Sequence, residues 1–111
     1  MMYVDFAVGG TQYKLRLSTR AIIALEKQLG CNPLSIFSDG GQIPTITQMV
    51  QVLHASLQQF HHNINMDAAF DIFDAYLADG NSMTDFLPTI VEIYKVSGLI
   101  QKDKEVDSEK N

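Results

Sequence analysis

Residues 3–17, YVDFAVGGTQYKLRL, set the architecture. Val4, Phe6 and Val8 alternate with Tyr3, Asp5 and Ala7. Beyond Gly9-Gly10, Tyr13, Leu15 and Leu17 alternate with Lys14 and Arg16. A period of two marks strands with one buried face, and paired glycines tolerate the positive φ angles of a tight hairpin turn. A two-residue loop would set Val8 opposite Thr11, Phe6 opposite Tyr13 and Val4 opposite Leu15, with Asp5 facing Lys14 and Tyr3 facing Arg16 on the other side. A four-residue loop keeps the faces but brings Phe6 opposite Leu15. A slip of one residue would turn the whole apolar set to water and is excluded. An isolated hairpin is marginal in water, so this one must lie on the rest of the chain.

The rest of the chain reads as helices. Ser18 or Thr19 caps a first helix to about Leu29, with Ile22, Leu25 and Leu29 inward and Gly30 as its stop. Asn32-Pro33 opens a short helical piece through Phe37, and residues 38–44 form a loop. Thr45 caps a second helix whose stripe is Ile46, Met49, Val50, Leu53, Leu57 and Phe60, ending at His61, His62 and Asn63. Asn65 caps a third, with Ala69, Phe70, Phe73, Tyr76 and Leu77 inward, stopped by Asp79-Gly80-Asn81. Ser82 or Thr84 starts a fourth. With Thr84 as cap, Pro88 falls in the first turn, where no intrahelical acceptor is lost. Its apolar face is Phe86, Leu87, Ile90, Val91 and Tyr94, and Gly98 closes it. The expected fold is α+β, mostly α: an N-terminal two-stranded antiparallel β-hairpin packed on about four helices as one domain over residues 1–100. A flexible charged tail, QKDKEVDSEKN, completes the chain over 101–111.

Length and composition agree with this layout. The chain has 111 residues, enough for one domain, and 46% hydrophobic residues supply a core. Cys31 is the only cysteine, so no intrachain disulfide is available, and it reads as a small packing side chain. No basic segment followed by an apolar run opens the chain, and no stretch reaches the ~18 apolar residues of a membrane helix. The expectation is a soluble protein of the cell interior without a membrane partner. A net charge of −5 argues against nucleic-acid binding, and Lys14, Arg16 and Arg20 read as a solvated strand face.

Candidates for chemistry are few. His54, His61 and His62 lack the ligand set of a zinc site, and adjacent histidines on a helix point in different directions. A calcium loop centred on Gly80 would place Ala75, Leu77 and Phe86 where oxygen ligands are required. Gly9-Gly10 and Gly40-Gly41 lack the strand–glycine–helix order of a phosphate site. Asp67, Asp71 and Asp74 line one helix surface and read as a solvated face that would also suit a basic partner. No catalytic residues, cofactor or metal are expected: the distinctive residues go into turns, caps and apolar stripes, which favours a protein-binding module over an enzyme.

The run LRLSTRAIIALEKQLGCNPLSIF, residues 15–37, resembles the start of small tail assembly chaperones of long-tailed, siphovirus-type phages and prophages of Gram-positive bacteria. The second half, LHASLQQFHHNINMDAAFDIFDAYLADGNSMTDFLPTIVEIYKVSGLI over residues 53–100, resembles them in its order of helices, its Asp-Gly break and its closing Ser97-Gly98-Leu99. The resemblance implies a chaperone of the host cytoplasm, absent from the finished virion. It would keep the long tape measure protein soluble and help tail tube protein assemble around it, with self-association to a homo-oligomer. A frameshifted longer form would share this domain. Surfaces of the second and third helices are the expected protein-binding sites, with Phe60, Phe70, Phe73 and Tyr76 as candidates for either groove or core. Two other readings are a structural tail completion or connector subunit of the virion, and a small acidic adaptor or inhibitor.

Overall fold

A computed structural model of the chain describes residues 2–37 and 43–101. Two strands, β1 (Val4–Val8) and β2 (Thr11–Leu15), precede four α-helices: α1 (Thr19–Leu29), α2 (Ile46–Leu57), α3 (Met66–Ala78) and α4 (Leu87–Val96). Short 3-10 turns occupy Pro33–Phe37 and Met83–Phe86. Most of the expected 38–44 loop, with Gly40-Gly41, and nearly all of the expected tail lie outside the described residues.

The hairpin takes the two-residue register. Val4 pairs with Leu15, Phe6 with Tyr13 and Val8 with Thr11. Gly9 and Gly10 have φ of 57° and 81°, so both central turn positions lie where a Cβ would be strained and where the strand twist is best matched. In such a ladder the amides of Lys14 and Arg16 point away from β1, as free-edge donors that need partners. The region at the end of α2 supplies both: Lys14 N–H donates to His61 Nε2 at 3.0 Å, and Arg16 N–H to the Ser56 carbonyl at 2.9 Å. Two further bonds pin the ribbon's ends, Gly9 N–H to Asp79 Oδ2 at 3.0 Å and Leu17 N–H to Ser97 Oγ at 2.8 Å.

The helix caps obey the sequence rules. Ser18, not Thr19, caps α1 by accepting from Ala21 N–H, and Gly30 ends it at φ 73°. Thr45 and Gln48 form a reciprocal capping box on α2, and Asn65 caps α3. Before the fourth helix Ser82, not Thr84, caps the 3-10 turn, in a box with Asp85, and α4 itself starts from Phe86 without a side-chain cap. Pro88 then sits in the first turn of α4, where a missing N–H costs nothing.

The core joins the apolar hairpin face to all four helices. Phe6, Phe73, Tyr76 and Phe86 form an aromatic cluster with centroid separations from 5.3 to 5.8 Å. Burial pushes the Tyr76 hydroxyl pKa up, helped by the Asp85 carboxylate. Tyr94, also buried, donates to the Pro33 carbonyl at 2.9 Å, which ties α4 to the Pro33–Phe37 turn. Its ionisation is strongly suppressed by burial, with Cys31 adding to the effect.

Several inward assignments change. α2 ends at Leu57, so Phe60 lies beyond the helix. Ile46 is exposed and Val52 fully buried, because α2 packs against α1, α3, α4 and β2 and is covered on several sides. In α3 the buried set is Ala69, Ile72, Phe73 and Tyr76. Phe70 sits one step round from Ala69 and is 49% exposed. In α4, Ile93 joins Ile90 and Tyr94 in the core, while Leu87 and Val91 are only half-buried.

Candidate functional site

A cleft of about 430 Å³ opens between α1 and the end of α2. Its floor is Ala21 and Leu25 from α1 and Ala55 from α2, with Ala24 exposed at its mouth; its rim carries Ser18, Arg20, Gln28, His54, Gln58, Gln59 and His62. The sequence makes this space by spacing. At 100° per residue, Ala21, Ala24, Leu25 and Gln28 share one flank of α1, and two of these four are alanines where larger side chains would close the gap. Leu25 is the only fully buried residue of α1, so the helix is held mainly along one line.

The polar rim is ordered by hydrogen bonds. Gln58 Nε2 donates to the His54 and Ile64 carbonyls at 2.9 and 2.8 Å, stapling the end of α2 to the turn beyond it. Arg16 Nη1 donates to Gln59 Oε1 at 3.2 Å, and His62 Nδ1 lies 2.9 Å from the Gln58 carbonyl, a contact that requires a proton on that nitrogen. His54 has its pKa lowered by burial, and its Nδ1 is buried without a hydrogen-bond partner. A neutral ring can leave that nitrogen as an unpaired acceptor more cheaply than a charged ring could bury a donor.

The three histidines thus have separate tasks. His61 faces the hairpin, where it accepts from Lys14 and packs edge-on against Tyr13 at 5.4 Å. Its pKa is lowered by burial and then by Lys14 and His62. Among the described residues no three His, Cys, Asp or Glu side chains are placed to hold a metal ion. No described helix is long and apolar enough to cross a membrane. Cys31 is a free, half-buried thiol packed against the core.

The four aromatic candidates separate in space. Phe73 and Tyr76 belong to the core cluster. Phe60 is half-buried and packs edge-on against Tyr3 at 5.6 Å, on the outer face of the hairpin. The Lys14 ammonium lies 5.0 Å from the Tyr3 ring and 5.8 Å from the Phe60 ring. Lys14 therefore faces Asp5 in the register without an ion pair among the described residues, its charge resting on aromatic faces instead. Phe70 alone of the four presents a large apolar surface to solvent. None of the four lines the cleft, whose floor sequence reading missed. The available signal was the small-residue run Ala21, Ala24 and Ala55 on helices that otherwise carry large apolar residues.

Hairpin, caps, four helices and cleft define a small α+β protein, mostly helical, with one face left open between two helices. By sequence the chain belongs to the family of unknown function DUF6096, whose profile matches residues 4–111. No curated protein and no solved structure matches the chain.

Proposed function

We propose that this protein is a non-enzymatic tail assembly chaperone that binds the phage tape measure protein and assists tail tube assembly in the host cytoplasm, without remaining in the virion. The observation that carries the reading is the cleft between α1 and α2, with its alanine and leucine floor and its ring of amide, imidazole and guanidinium groups. An amphipathic client helix places apolar side chains on one line and polar ones beside them, the pattern such a groove accepts. A long helical tape measure protein exposes many such lines and aggregates when they are uncovered. A carrier with a net charge of −5 stays soluble while covering them. The resemblance of residues 15–37 and 53–100 to tail assembly chaperones names the client.

Co-expression tests it. A phage tape measure protein co-expressed with this chain should move from the insoluble to the soluble fraction and co-purify with it. Ala24→Glu, a charge placed at the mouth of the cleft at an exposed helix position, should abolish both effects without unfolding the protein. Failure of the wild type to co-purify at low and high salt counts against the client assignment.

A further inference from the structure

The two edges of the hairpin are closed to different extents. Along the second half of β2 the outward amides of Lys14 and Arg16 are taken by His61 Nε2 and the Ser56 carbonyl. On β1, Asp5 and Ala7 pair with Lys14 and Gln12. Counted from the bonded pair Val8–Thr11 beside the two-residue turn, these are the non-hydrogen-bonded pairs of the ladder. The N–H and C=O groups of Asp5 and Ala7 therefore all point away from β2. Among the described residues none of these four groups has a partner. Both residues are exposed, and β1 carries no proline, no lysine and no bulge to blunt its edge. The surroundings of this edge are acidic. Asp5 stands on its outer face, Asp79 holds its turn end through Gly9 N–H at 3.0 Å, and the Asp85 carboxylate acts on Tyr76, whose ring lies 5.3 Å from Phe6. All three acids are exposed, and none forms an ion pair among the described residues. Lys14, across the ladder from Asp5, rests on the Tyr3 and Phe60 rings instead. On the inner face Val4 is only half-buried, which leaves apolar surface beside Phe6 for an added side chain.

We propose that β1 is a docking edge for an extended, basic segment of a partner protein, which adds to the hairpin as a third, antiparallel strand. The main-chain groups of Asp5 and Ala7 supply its hydrogen bonds. A partner residue opposite Asp5 shares its face of the sheet, and a lysine or arginine there meets the free carboxylate. The residues on either side of it point to the inner face, where apolar side chains extend the surface of Val4 and Phe6. The chemistry recognised is thus Lys or Arg alternating with apolar residues. A second copy of this chain would bring its own Asp5 and Asp79 against the same edge, so like charge disfavours it as the occupant. No residue of β1 lines the cleft, so this contact is independent of any client helix held there.

Titration of the isotope-labelled full chain with a capped Lys-Val-Lys-Val-Lys-Val-Lys peptide, followed by NMR, tests it. Amide shifts should move most at Asp5 and Ala7, hydrogen exchange at both should slow, and binding should weaken in high salt. N-methylation of the peptide's lysine amides, which face the edge, should abolish binding, whereas N-methylation of its valine amides should not. The same peptide with Glu in place of Lys should bind about tenfold more weakly or worse. Asp5→Lys, at an exposed position, should weaken the lysine peptide by a similar factor with an unchanged circular dichroism spectrum. Ala7→Pro removes one outward donor and no ladder bond, and should cost about tenfold in affinity. The methylated pair is read on the wild type, so it decides the matter even where Ala7→Pro fails to fold. Unmoved Asp5 and Ala7 amides with peptide in the millimolar range, equal binding by the two methylated peptides, or equal binding by the Glu peptide would overturn the assignment. So would protection of these two amides that grows with protein concentration in the absence of peptide, which would put a second copy on the edge.

Discussion

α1 and α3 are both amphipathic helices packed on α2, and they are held in different ways. α3 places four residues in the core, two of them aromatic and locked with Phe6 and Phe86. α1 places one, Leu25, with Ala21 and Ala24 together on one side of it. The α3 side is where stability is concentrated, and the α1 side is where space is left. A surface that stays open contributes little to its own core, so the two helices divide packing and open space between them.

Three substitutions probe that contrast. Phe73→Ala on α3 should cost about 3–5 kcal/mol, seen as a large drop in the urea midpoint with little change in slope. Leu25→Ala on α1 should cost less, about 2–3 kcal/mol, because the adjoining cleft lets neighbours and water relax into the space. Equal losses would mean that α1 is anchored as firmly as α3. Thr45→Ala removes the capping box shared by the central helix and should cost about 1 kcal/mol, measured by the same denaturation.

Acid should act through the histidines. The folded state lowers the pKa of His54 and His61, whereas the unfolded chain takes up protons near pH 6.5. Between those values the unfolded state binds more protons, so stability is full above about pH 7 and falls as the pH drops through the window below 6.5. His61 adds a direct reason, since protonation at Nε2 removes the acceptor for Lys14 N–H. Tm should be lower at about pH 5.5 than at pH 7.5, and His54→Gln should flatten part of that slope. The smallest effect is expected at Phe70→Ser, within about 0.5 kcal/mol of wild type, despite the size of the side chain removed.

The elements and caps are legible in the sequence because each is set locally. Gly9-Gly10 marks the hairpin turn and the alternation fixes its buried face, with the two-residue pairing chosen over the four-residue one only by the structure, and Thr45 and Asn65 mark helix starts through their own side chains. Phe70 reads as inward from sequence because a stripe of Ala69, Phe73 and Tyr76 leaves its neighbour ambiguous by less than one helical step; only the partner helix shows which edge is covered. Phe60 reads as part of α2 because its spacing continues the apolar stripe past Leu57, where the Gln58 side chain turns back on the His54 and Ile64 carbonyls. The cleft is invisible from the sequence: Ala21, Ala24 and Ala55 signal small side chains, and whether a neighbour fills the space depends on how α1 crosses α2.

The chaperone reading stands or falls on whether the open side of α1 and α2 grips a client helix. Co-purification of the tape measure protein with the wild type and with Ala24→Glu decides it, the variant's fold being checked by its unchanged Tm. The expected result is a soluble, stoichiometric complex with the first and none with the second. Equal recovery of the client with both proteins would place the binding surface elsewhere.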